Sequence, residues 1–134
     1  PEAFDRWLAT TVRSTLAGFC PNCSGRVEGR LDPDDDRSYG VSAVYTCERC
    51  GEVAQFAPPA ILFNHPAAQA FYYDHGIDTT TTPSWEIDRR SDTSVDFVST
   101  APPRVRIVVT IDGERLVATV EETASIESVE REST

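Results

Sequence analysis

The chain has 134 residues, 40% of them hydrophobic and 25% charged, with 22 Asp plus Glu against 12 basic residues and a formal net charge of −10. That length suits one domain with a modest core, and the acidity opposes binding to nucleic acid or to anionic membranes. No apolar run approaches the ~18 residues of a membrane-spanning helix and no charged-then-apolar leader opens the chain, so a soluble, cytoplasmic protein with no membrane partner is expected.

Every basic residue is Arg, and Lys is absent. An acidic, lysine-free surface suits a halophilic archaeon, where molar salt shortens the Debye length to ~3 Å; the competing reading is an acidic surface made for a partner. Met is absent too, a starting one included, which suggests a piece of a longer protein with something ahead of Pro1.

Residues 1–18 read as a linker or dimerisation helix. Phe4, Leu8, Val12 and Leu16 recur four apart with Trp7 beside them, and the amphipathic run from Glu2 to Ala17 ends near Gly18. It leads straight into Cys20-Pro-Asn-Cys23, which with Cys47-Glu-Arg-Cys50 accounts for all four cysteines. Two CxxC turns facing each other supply four soft donors from two directions, the pattern of a tetrahedral zinc site. Gly25 and Gly51 follow the two pairs, where the chain is expected to need a positive φ.

Between and after the knuckles, Arg26–Leu31, Tyr39–Thr46 and Glu52–Phe56 read as strands, so residues 19–57 form a three-stranded zinc ribbon. Two disulfides are one rival. A thioredoxin-like dithiol is another, but it would place one CxxC at a helix start after a strand. A site closed by four thiolates leaves no position for water or substrate, so Zn2+ is expected to be structural. The acidic run Asp32–Asp36 lacks the spacing and distal Glu of a calcium loop and reads as a solvated turn.

Residues 58–134 read as an α+β unit packed on the ribbon, the whole forming one compact domain. Pro58-Pro59 breaks the strand, Asn64 can cap a helix from about His65 to His75, and Gly76 stops it. Ala68, Phe71, Tyr72 and His75 make one buried face. Thr79–Pro83 is a polar connector, and Ser84–Ile87 starts another apolar segment. Val95–Ser99, Arg104–Ile111, an Asp112-Gly113 turn, Leu116–Glu121 and a weaker Ala124–Arg131 then give an antiparallel β-hairpin or meander. The expected class is α+β: an N-terminal helix, the ribbon, a central helix and the meander.

His65, Tyr72 and His75 on that helix, with Trp85 and Glu86 arriving after the connector, could line a small-molecule pocket. The plainer alternative makes His65 a helix cap, His75 a partner of helix-end carbonyls and the aromatics core. No nucleophile elbow, phosphate loop or HExxH helix supports an enzyme. Arg104 and Arg106 share one side of a strand and are candidates for a nucleic-acid contact, yet no aromatic residues alternate with them as a base-stacking platform would require.

Taken together, the two CxxC pairs, His65-Pro66, Phe71-Tyr-Tyr-Asp-His75-Gly-Ile-Asp78, Pro83-Ser-Trp85-Glu86 and Asp112-Gly-Glu-Arg-Leu116 resemble the C-terminal domain of haloarchaeal ArsR-like winged-helix transcriptional regulators over nearly the whole chain. The resemblance implies an upstream DNA-binding winged helix as partner and a regulatory, non-enzymatic half here. A homodimer and a small-molecule effector are the expected partners. The rival function is a zinc-ribbon module making auxiliary DNA contacts.

Overall fold

The computed structural model describes residues 2–133; within the first helix it describes the side chains of Ala3, Trp7 and all residues from Thr10 on. Helix α1 spans Glu2–Leu16. Of its expected apolar stripe, Phe4 and Leu8 lie outside the described side chains. Leu16 packs against the core and Thr15 is buried, while Trp7 is 61% exposed.

Strands β1 (Val27–Pro33), β2 (Val41–Cys47) and β3 (Val53–Phe56) form an antiparallel sheet in chain order. β2 is its centre, and all its residues but Thr46 are buried, as its Val- and Tyr-rich run requires. A 3-10 segment, Pro58–Asn64, then carries Ile61 and Leu62 inward. Helix α2 (Pro66–Asp74) buries Ala68, Phe71 and Tyr72. It is one residue shorter at each end than expected, because His65 and His75 serve as its caps. Helix α3 (Ser84–Arg90) is a further element of about two turns that the sequence showed only as an apolar segment.

The second sheet is a four-stranded antiparallel meander, β4 (Asp92–Thr100), β5 (Pro103–Ile111), β6 (Glu114–Val120) and β7 (Ile126–Ser133). Asp112 and Gly113 both take positive φ, 51° and 82°, as a two-residue hairpin turn of matching twist demands. Its register brings Val109 opposite Leu116, Ile107 opposite Ala118 and Val105 opposite Val120. All six side chains are buried. The strands are thus alternately apolar on one face, and that face joins Leu31, Val41, Ala43 and Tyr45 of the first sheet, with Leu62, Phe71, Tyr72 and Ile77, in one hydrophobic core. Among the described residues the architecture is α+β, with two antiparallel sheets and four helical segments.

Where the sheets meet, the outer edge of β1 touches the turn between β6 and β7. The Leu31 N–H donates to the Glu122 carbonyl at 2.9 Å, and the Tyr45 hydroxyl reaches the Ala124 carbonyl at 3.4 Å. Gly29 permits that approach: a Cβ there would lie 2.7 Å from the Thr123 carbonyl oxygen and 2.7 Å from the Tyr45 ring. In an unhindered strand Gly→Ala gains from lower chain entropy, but here backbone meets the added methyl. Gly29→Ala is therefore expected to destabilise by about 1–3 kcal/mol, read as a lowered midpoint in thermal or denaturant unfolding. An unchanged or raised midpoint would show that the seam is open in solution.

Candidate metal centre

The two CxxC turns have the same backbone wiring. In the first, the Cys20 N–H donates to the Gly25 carbonyl and the Ser24 N–H to the Cys20 carbonyl, both at 2.8 Å. In the second, the Cys47 N–H donates to Glu52 at 2.8 Å and the Gly51 N–H to Cys47 at 3.1 Å. Each turn needs a left-handed residue four positions after its first cysteine. Gly51 fills it in the second knuckle with φ 78°, but in the first the residue is Ser24 with φ 62°. Gly25, expected to take the positive φ, is instead needed for space. A Cβ there would sit 2.8 Å from the Arg49 Cβ and 3.1 Å from the Cys47 Sγ.

These turns bring all four sulfurs within 4.8 Å of one another. Cys20 Sγ is 3.7 Å from Cys50 Sγ, and Cys23 Sγ is 3.5 Å from Cys47 Sγ. A tetrahedral thiolate-bound zinc, with metal–sulfur distances of about 2.3 Å, sets its sulfurs about 3.8 Å apart, so the cluster fits a metal ion of this kind. N–H groups of Asn22, Gly25, Arg49 and Cys50 point at sulfurs at 3.4 Å, and the Asn22 side-chain amide reaches Cys50 Sγ at 3.9 Å.

The charge balance at the sulfurs is consistent with a bound cation. The N–H groups of Cys50 and Arg49 hold the Cys47 thiol down, to about 6, against the opposing cost of burial. At Cys23 the Gly25 N–H also favours the thiolate, but burial and the sulfurs of Cys47, Cys50 and Cys20 outweigh it and push the thiol up to about 11. Four sulfurs this close repel one another as anions, and a divalent cation at their centre would let all of them ionise. Cys20 and Cys47 are buried, Cys23 is half-buried and Cys50 is exposed at the rim.

The other residues singled out from the sequence lie in separate places. His65 caps α2, its Nδ1 accepting the Ala67 N–H at 3.2 Å. Tyr72 is buried in the core against Phe63 and Phe71, and burial pushes its phenol well up. His75 closes the far end of α2, with Nε2 2.8 Å from Glu114 Oε1 and its ring 5.0 Å from that of Phe71. Trp85 is 62% exposed on α3, where Glu86 faces Arg89 at 3.5 Å. Arg104 is ion-paired with Glu127, and the exposed Arg106 sits opposite Asp96 in the register.

A charged cluster that sequence reasoning missed surrounds His75. Arg131 donates to Glu114 Oε1 at 2.6 Å and to Asp74 Oδ2 at 2.8 Å, with its guanidinium 5.3 Å from the Phe71 ring centroid. Arg131 first, and His75 second, hold the Glu114 carboxyl below its ordinary value of 4.5. A depressed carboxyl lends stability that is fully present above its ordinary value and fades as pH falls through the folded one. The melting temperature should therefore drop on acidification below about pH 5. Glu114→Gln should lower it at pH 7 and flatten that drop. Parallel pH profiles for the two proteins would exclude Glu114 as a contributor.

Among the described residues, no helix is long and apolar enough to cross a membrane. No curated protein and no solved structure is significantly similar to the chain. A family model described only as a domain of unknown function, DUF7351, matches residues 1–126, and the chain belongs to that family.

Proposed function

We propose that this chain is the regulatory half, sensor or dimerisation domain, of a transcription regulator, held in shape by a structural Zn2+ on Cys20, Cys23, Cys47 and Cys50. The observation that carries the reading is the join between α1 and the metal centre. α1 ends at Leu16, four residues before Cys20, and three bonds lock that short link. The Phe19 N–H donates to the Ser14 carbonyl, the Ser14 hydroxyl to the Phe19 carbonyl and the Val27 N–H to the Gly18 carbonyl. A helix rooted this firmly in a rigid centre transmits its orientation to whatever precedes it. In the ArsR-like arrangement that is a winged helix, and a ligand preferring one orientation of the domain would bias the spacing of two DNA-binding heads.

Four thiolates leave no open coordination position, which supports a structural metal and a non-enzymatic role. The rival, an auxiliary DNA contact through Arg104 and Arg106, is weakened by the acidic partners Glu127 and Asp96 that face them.

The test is operator binding by this chain joined to the upstream winged helix that the reading requires, with and without metal. Specific binding that weakens when the metal is stripped, with no measurable duplex affinity for this chain alone, is the expected result. Salt-dependent duplex binding by the chain alone, lost in Arg104→Glu/Arg106→Glu, would install the rival instead. A joined protein with no DNA-binding activity would sink both.

A further inference from the structure

His65, which caps α2, also lines a concave site. The end of α1, strands β1 and β2, the close of the 3-10 segment and the turn between β6 and β7 line a groove of about 360 Å³, within the range of small-ligand sites. Its apolar walls are Leu16, Val27, Tyr45, Ile61 and Ile126. A quarter of the chain is charged, yet among the described residues no Asp, Glu or Arg lines this groove. A surface patch drawn at random from this composition would carry several.

One donor is set in the groove's wall. The Ala67 N–H aimed at His65 Nδ1 fixes the ring proton on Nε2, and Nε2 has no hydrogen-bond partner among the described residues. The rim opposite is held in a strained shape: Ala124, 4% exposed, takes a left-handed φ of 61°, a conformation an alanine adopts only when its surroundings impose it.

We infer that this groove binds a neutral small molecule that offers a hydrogen-bond acceptor, such as a ketone, lactone or amide carbonyl, to His65 Nε2–H. Among the described lining residues, anionic ligands find no Arg to neutralise them and cationic ones find no carboxylate. If the regulatory reading holds, the groove is the effector's seat, because the Thr15, Leu16 and Gly18 end of α1 forms one wall. Binding itself does not rest on that reading.

The test is amide chemical-shift mapping of the metal-loaded chain titrated with acetophenone, coumarin and benzamide, with benzoate and phenethylammonium as charged controls. Saturable shifts centred on Gly18, Gly29 and Ser125, with the charged controls at least tenfold weaker, are expected. His65→Asn keeps a side-chain oxygen for the cap, but its amide nitrogen stops one bond short of the Nε2 position and no longer places a donor there, so affinity should fall about five- to tenfold. Ser125→Trp, at an exposed rim position, should abolish the shifts while the melting temperature is unchanged. Absence of saturable shifts with all three neutral probes, shifts centred elsewhere, equal affinity for benzoate, or indifference to both substitutions would overturn the inference. Binding is read on this chain alone, so an empty groove leaves the regulatory proposal standing, and loss of operator binding leaves the groove standing.

Discussion

Cys47→Ser is expected to release the metal and unfold the ribbon. A structural thiolate site contributes about 10–16 kcal/mol of apparent binding free energy, comparable to or larger than the entire stability of a typical domain. Serine is a poor ligand at neutral pH, and Cys47 also anchors the second knuckle, its sulfur accepting the N–H groups of Arg49 and Cys50. The effect should not stop at the knuckle. Cys47 is the last residue of β2, and Val41, Ala43 and Tyr45 of the same strand lie in the core shared with the meander. One hydrophobic core predicts one transition, so metal content and far-UV ellipticity should fall together, whether the metal is removed by mutation or by a chelator. Stoichiometric metal retained by Cys47→Ser with a native melting curve would refute the four-cysteine centre.

The centre was legible because a metal ligand set is a local spacing rule. Two CxxC turns name their four residues without any knowledge of the fold. The meander was legible for a similar reason: period-2 alternation on either side of Asp112-Gly113 sets both the strands and the turn. Boundaries and short elements were harder. α3 has seven residues and buries only Ile87, too short for a 3.6-residue period to declare itself. The positive φ at Ser24 was hidden because a serine gives no sign of it, while the neighbouring Gly25 did. Contacts distant in sequence were hidden altogether. His75 meets Glu114 across 39 positions and Arg131 meets Asp74 across 57, and no local pattern encodes either pairing. The groove beside His65 draws its walls from five separate segments, a grouping that no local spacing encodes.

Phe71→Ala should be the most damaging substitution outside the metal centre. The ring is fully buried, and it is the point where the apolar core meets the charged cluster: Tyr72 packs on it edge-on at 5.8 Å, His75 lies 5.0 Å away and the Arg131 guanidinium covers it at 5.3 Å. Truncating a buried phenylalanine costs about 3–5 kcal/mol in transfer and cavity terms, roughly 10–20 °C in Tm for a domain of this size. A second loss follows from position. Without the ring, Arg131 no longer has a face to lie on while it bridges Asp74 of α2 and Glu114 of β6, so the ion pairs that clasp α2 to the meander loosen as well. Phe71→Leu separates the two effects. Leucine restores most of the apolar volume and should recover most of the core term, but it offers no aromatic face to the guanidinium, so a residual deficit should remain that disappears when Arg131 is changed to Met in both backgrounds. If Phe71→Leu is as damaging as Phe71→Ala, the site cannot repack around an aliphatic side chain. If instead Phe71→Ala costs less than about 1 kcal/mol, the α2 face does not pack against the meander as described, because a surface position is where costs of that size belong. Metal stoichiometry should be unaffected at temperatures below the lowered transition, since no cysteine touches α2 through these residues, and that separates the core's contribution from the metal's.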